Sequence, residues 1–205
     1  STANLQLTSN VDPYFRVNGK LTIDTAITGD RNLVVVGGTG EMVLTRDNTY
    51  TGSTEVRQGV LTLNSPIGGG HAIPDGTTLL GGDGNTNALE GVVKLAASSQ
   101  LSSTSPITVD TDGGLLQVNG ADTVIGDLTL LGGQVSVGDG NLAIKNIHAS
   151  ADMTIGGLAG GKITLLNGQH TITVDAGKTL TITAPIVNAG GSVGGIIKTG
   201  RGERA

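Results

Sequence analysis

Thr39 to Asn64 reads TGEMVLTRDNTYTGSTEVRQGVLTLN, and this stretch decides the fold class. Two short apolar runs, Met42-Val43-Leu44-Thr45 and Val60-Leu61-Thr62-Leu63, bracket an Asn48-Thr49-Tyr50-Thr51-Gly52 turn and a third run, Thr54-Glu55-Val56. Most such runs in the chain alternate apolar residues with Thr, Ser, Gln or Lys, so one face of the strand is buried and the other is wet. Asn, Asp and Gly fill the gaps, and they turn the chain cheaply because they tolerate positive φ or bond their own backbone.

The same grammar runs outward in both directions. Upstream lie Leu21-Thr22-Ile23 and Leu33 to Val36; downstream lie Val92 to Leu95, Leu115 to Val118, Val135-Ser136-Val137 and Leu180-Thr181-Ile182, with similar runs between. They recur roughly every eight to ten residues, the spacing of many short strands. Gly-Gly, Asp-Gly and Asn-Gly pairs such as Gly132-Gly133, Asp139-Gly140 and Asn167-Gly168 separate them. Asn-Gly also reads as a hairpin turn, which keeps a meander or sandwich open as the rival architecture. No segment shows helical periodicity; Leu89 to Leu101 comes nearest and reads better as a strand and a loop.

Composition favours a thin, layered core. The 205 residues hold 35 glycines but only three aromatic residues, Tyr14, Phe15 and Tyr50. A single thick core of this size normally uses more rings. Stacked aliphatic layers need none, because each coil of a solenoid buries its inward row on its neighbours. The expected fold is all-β, a right-handed single-stranded parallel β-helix (β-solenoid), spanning residues 1–205 as one segment of a longer chain. Ser65 to Asn87, with Gly68-Gly69-Gly70 and Gly81-Gly82-Asp83-Gly84, is the least regular part and is expected to protrude as a Gly-rich loop.

The order of runs and turn in residues 32–64 resembles the passenger-associated repeat of bacterial autotransporters. Gly38, Gly40, Val43, Asn48, Thr49, Tyr50, Thr51, Gly52, Thr54, Val56, Gly59, Leu61 and Leu63 fit its pattern. Thr45 and Asp47 stand near the places where that repeat carries Leu and Gly. The family opens its repeat with a Lys-Thr-Gly-x-Gly phrase, which recurs here at Lys198-Thr199-Gly200-Arg201-Gly202. The resemblance implies a parallel β-helix passenger, secreted or held at the bacterial cell surface through an outer-membrane anchor outside this chain. It also implies that Asn48, Thr49, Tyr50, Thr51 and Gly52 form a structural motif.

The chemistry is sparse. Cysteine is absent, which excludes disulfides, thiolate metal sites and cysteine nucleophiles. Twelve Lys and Arg against 17 Asp and Glu give a net charge of −5, the wrong footprint for nucleic acid. Many β-helices cleave polysaccharides, which takes two carboxylates facing one bond. Asp110 and Asp112 are the nearest pair, but they precede Gly113-Gly114, where acids shape turns. His71, His148 and His170 have no metal-ligand spacing, and the last two are expected to cover strand edges. Asp83, Asn85 and Asn87 form a weak calcium candidate, present once where calcium repeats stack several copies. Thr171/Thr173 and Thr181/Thr183 are too few for an ice-binding array, and alternating Thr is ordinary strand composition.

The expected role is therefore structural: a stalk or adhesin with no catalytic residues and no cofactor. Its expected partners are a host or neighbouring-cell surface protein or glycan. A polysaccharide lyase or glycosidase, and a filament subunit associating end to end, remain the alternatives.

Overall fold

The computed structural model describes residues 4–200 except 9, 37, 67–69, 77, 82–90, 112, 121, 158–159 and 192. The chain is a parallel β-solenoid, and no helix occurs among the described residues. It opens with β1 (Leu5–Leu7) and β2 (Tyr14–Phe15), then winds through β3 (Lys20–Ile23), β4 (Ile27–Gly29) and β5 (Leu33–Val35). The next coils carry β6 (Glu41–Leu44) and β7 (Thr54–Val56), β8 (Gly59–Leu63) and β9 (Thr78–Leu80), and β10 (Gly91–Leu95) and β11 (Ile107–Val109). Then come β12 (Leu115–Val118) and β13 (Asp122–Leu130), and β14 (Gln134–Val137) and β15 (Asn141–Ala149). The last coils are β16 (Met153–Gly157), β17 (Lys162–Leu165) and β18 (Gly168–Val174), and β19 (Leu180–Ile182), β20 (Ile186–Asn188) and β21 (Gly194–Thr199).

Three faces result. The first is an eight-stranded sheet, β3-β6-β8-β10-β12-β14-β16-β19, one strand from each successive coil. The second carries β2, β5, β7, β9 and β11, and then the C-terminal halves of β13 and β15, followed by β18 and β21. The long strands turn the corner onto the third face, where Asn141 to Ala143 pair with β17 while Ile147 to Ala149 pair with β18. Every pairing is parallel, so the hairpins that Asn-Gly pairs allow do not form among the described residues.

Register explains the sparse aromatic content. Leu21, Met42, Leu61, Val93, Leu116, Val135, Ile155 and Ile182 occupy one inward row along the first face. Val35, Val56, Leu80, Val109, Leu130, Ala149 and Val174 do the same on the second. Adjacent strands lie about 4.8 Å apart, so each branched aliphatic side chain rests on the one below and no ring is needed to span the core. Burying a Leu or Val in this way contributes about 1.5–3 kcal/mol. Leu61, Leu63, Val93 and Leu95 are wholly buried, whereas Leu21, in the first coil, is exposed.

The corners are tied along the axis by side chains. Asn32 donates to Asp12 at 2.9 Å, and the Ser53 N–H donates in turn to Asn32 at 2.7 Å. Asn146 donates to Asp127 at 2.8 Å and accepts the Thr171 N–H at 3.0 Å; Asn141 donates to Asp122 at 2.6 Å. An Asp on one coil and an Asn on the next make a better pair than two carboxylates, which repel, and Asn32 and Asn146 also accept the backbone N–H groups of Ser53 and Thr171.

The coils are uneven. Glu41 pairs with Val60 and Leu115 with Gln134, but Gly59 pairs with Gly91 and Thr78 with Ile107. The extra residues lie on either side of β9. Within the Gly-rich stretch 65–87, Ile73 bridges Leu101 and β9 is an ordinary sheet strand, so part of it continues the coil. Residues 67–69, 77 and 82–87 of that stretch lie outside the described residues.

Candidate functional site

The Asn48 to Gly52 turn carries the most specific local geometry. Where the third face changes path, backbone laddering alone cannot reach every group. Asn48, 5% exposed, fills the gap with its side-chain amide: Oδ1 accepts the Ile27 N–H at 2.7 Å and Nδ2 donates to the Ala72 carbonyl at 2.5 Å. Its own N–H donates to the His71 carbonyl, and the Thr49 N–H donates to the Ile27 carbonyl. One residue thus joins the coil below to the coil above. Tyr50 is fully buried, and its hydroxyl pairs with Thr54 at 2.5 Å. Burial pushes its phenol far above the ordinary value, so the ring stays neutral.

Gln100 repeats the device one excursion later. Buried, it accepts the Ser65 N–H at 2.7 Å and donates to the Ser65 carbonyl at 3.0 Å, standing in for a missing strand neighbour. Nothing in the spacing of Ser65 and Gln100, 35 residues apart, announces this pair.

Three of the arginines of the first third meet acids one by one. Arg46 lies 2.9 Å from Asp24, Arg31 lies 3.5 Å from Asp30, and Arg57 lies 2.7 Å from Glu55. The Arg57 guanidinium also sits 5.8 Å from the centroid of the Tyr14 ring. Tyr14 and Glu55 flank Val34 on the outer surface of the second face, and Val34 is buried there. This cluster therefore has a packing role that needs no ligand.

A further polar cluster lies around Asp75. Thr104 donates to its carboxylate at 3.3 Å, and Ser102 lies 3.0 Å from Thr104. The Ser102 and Thr104 hydroxyls, with His71 nearby, hold the Asp75 carboxyl below its ordinary value. His71 faces the Ser99 carbonyl at 2.9 Å. The Ser-Ser-Gln-Leu-Ser-Ser-Thr-Ser run from Ser98 to Ser105 was the available signal, and two of its hydroxyls, those of Thr104 and Ser105, donate to Asp75 and to the Pro74 carbonyl in the Gly-rich stretch.

The remaining sequence candidates disperse. Asp110 accepts from the Thr111 N–H at 2.6 Å and hydroxyl at 3.0 Å, the geometry of a turn acid; Asp112 lies outside the described residues. Asp83, Asn85 and Asn87 also lie outside them. Among the described residues, no group of three or more His, Cys, Asp and Glu could hold a metal ion. His148 pairs with Asp175 at 2.9 Å on an open surface. His170 does not cover an edge; it is buried, with Nδ1 2.9 Å from the Ile144 carbonyl and Nε2 3.1 Å from the Leu166 carbonyl. The Thr pairs separate as well. Thr173 joins an outer row of Thr108, Thr129, His148 and Thr199 on the second face, while Thr181 lies beside Thr154 on the first. His148 interrupts that row, so no uniform hydroxyl array forms.

Comparison with family models, curated proteins and solved structures finds no match for this chain.

Proposed function

We propose that the chain is a structural segment of a secreted or cell-surface, autotransporter-like passenger, acting as a stalk or adhesin. The observation that carries this is the use made of the repeat-like turn. Asn48 hydrogen-bonds to coils on both sides of its own, and Tyr50 fills the core beside it. A turn so used serves axial extension. A stalk needs stacked coils whose core is indifferent to length, and the unbroken aliphatic rows have that property. Contacts with a host-cell or neighbouring-cell protein or glycan fall in this reading to the excursion around His71, Asp75, Ser102 and Thr104, because excursions vary without breaking the ladders.

Sequencing the gene on both sides of this segment tests the reading. More solenoid coils followed by a membrane β-barrel, with alternating strands of about ten residues, supports it. A catalytic domain joined directly to either side, with no barrel, sinks it. Protease shaving of intact cells that express the whole gene is the biochemical check: fragments of this segment must appear in the medium.

End-to-end stacking into a filament is the second reading, and one observation favours it. Among the described residues, the exposed large hydrophobics are Val11, Tyr14 and Leu21 in the first coil and Leu166, Ile186, Val193, Ile196 and Ile197 in the last two. Both ends thus offer apolar surface beside open strand edges. Sedimentation velocity over a wide concentration range separates the readings, since a monomer at every concentration removes the filament.

A further inference from the structure

Three Asn-Gly pairs occur in the chain, at Asn18-Gly19, Asn119-Gly120 and Asn167-Gly168. Any such pair can lose its side-chain amide, because glycine puts no side chain in the way of its own nitrogen. The fold treats the three differently. The Gly120 N–H donates to the Asp139 carboxylate, which holds the nitrogen and opposes its deprotonation. The Gly168 N–H donates to the Val193 carbonyl at 3.2 Å, and the Val193 N–H holds Asn167 Oδ1 at 2.9 Å. Both residues are exposed at all three pairs, so hydrogen bonding and not exposure separates them. Among the described residues, neither the Asn18 amide nor the Gly19 N–H has a hydrogen-bond partner.

We propose that Asn18 is a site of spontaneous modification in the folded protein, converting to aspartate and isoaspartate while Asn119 and Asn167 are protected. The Gly19 nitrogen attacks Asn18 Cγ. The N–Cγ bond forms, the Cγ–Nδ2 bond breaks, and Nδ2 leaves as ammonia with the proton from the Gly19 amide. Water then opens the resulting succinimide. Opening at the side-chain carbonyl carbon gives aspartate; opening at the main-chain carbonyl carbon gives isoaspartate, with the backbone rerouted through the side chain. No oxidant or reductant takes part.

The position gives the change a structural consequence. The Val17 carbonyl accepts the Gly40 N–H at 3.0 Å and the Gly19 carbonyl accepts the Glu41 N–H at 2.8 Å. Asn18 lies between these two links from the first coil to the next. Isoaspartate adds a backbone atom between them, so both cannot keep their register. Either product also adds a negative charge to a chain already at −5. Conversion therefore loosens the β2–β3 corner and leaves the coils beyond it intact.

The test is to age the full chain, folded, at mildly alkaline pH and to map the three peptides by liquid chromatography and mass spectrometry. Asn18 is expected to convert faster than Asn119 and Asn167 by roughly tenfold, the equilibrium factor of one typical net hydrogen bond. In urea the three rates converge. Gly19→Ala is expected to slow Asn18 in the folded chain, and it folds because nothing lies within 4 Å of a methyl placed there. Asp139→Ala, which frees the Gly120 N–H, is expected to speed Asn119. Equal rates at the three sites in the folded chain overturn the proposal. So does a Gly19→Ala chain that converts at the parent rate, because Gly19 would then not be the nucleophile.

Discussion

Asn48 Oδ1 accepts the Ile27 backbone N–H at 2.7 Å, across a gap that a β-ladder would otherwise close. Its amide thereby stands in for a peptide unit, with Nδ2 serving the Ala72 carbonyl on the other side. Buried backbone groups must be paired, and here the chain supplies the pair from a side chain.

Asn48→Ala is therefore expected to leave one donor and one acceptor buried and unpaired, lowering stability by about 2–4 kcal/mol. Urea titration followed by circular dichroism measures it. Asn48→Asp keeps the acceptor but loses the donor and buries a charge, so it should be no better than Ala. An Ala variant with an unchanged midpoint would show that the Asn48 contacts contribute nothing net.

Tyr50 separates packing from hydrogen bonding. Its ring is wholly buried, so Tyr50→Ala opens a cavity between coils and is expected to cost about 3–5 kcal/mol. Tyr50→Phe keeps the ring and leaves only the Thr54 hydroxyl without its 2.5 Å partner, at about 1 kcal/mol. Thermal melts of the two variants should differ clearly. If Phe costs as much as Ala, the hydroxyl and not the ring fixes this turn.

Much of this architecture is written locally. The alternation in Val60 to Leu63 and in Val135 to Val137 marks strands, and the Gly and Asn pairs mark corners, because both signals act within a few residues. The parallel stacking is less local. Asn141 and Asn146 stand at corners in the sequence, but their partners Asp122 and Asp127 are recognised only once the coil length of 19 residues is known. Where the coil length changes, as between Gly59 and Gly91, that rule fails, and Ser65 with Gln100 stays hidden. His170 escapes the local pattern for a related reason. Its burial comes from carbonyls at Ile144, Lys145 and Leu166, two of which belong to the preceding coil.

Acid should weaken the outer rows before the core. The Thr62 hydroxyl donates to Glu41 at 2.6 Å and Lys20 lies 3.2 Å away, and the two hold the Glu41 carboxyl below its ordinary 4.5. A depressed folded value means that the stabilisation is complete above pH 4.5 and is lost as pH falls through the folded value. Glu41→Gln keeps an oxygen for Thr62 but does not titrate, so its stability should fall less between about pH 5 and pH 3. Glu41 is partly exposed and Lys20 largely so, and solvent screens the pair, so the difference is expected to be under about 1 kcal/mol. Parallel pH titrations of the urea midpoint decide it; curves of identical slope would remove Glu41 from the acid response.

Gly52 closes the motif for a steric reason. Its φ is not positive, so conformation alone does not demand glycine there. What demands it is proximity: a methyl at Gly52 would overlap the Arg31 carbonyl, which belongs to the coil below and is backbone that cannot swing aside. Gly52→Ala must push the two coils apart, and the expected cost is about 1–3 kcal/mol. Gly195 is the control, because it also has ordinary φ but nothing within 4 Å of an added methyl. Gly195→Ala should stay within about 0.5 kcal/mol of the parent. Urea midpoints of the two variants, measured side by side, test the contrast. Equal midpoints would mean that the coils at Arg31 and Gly52 have room to separate, and the close stacking of this turn would not be what selects glycine.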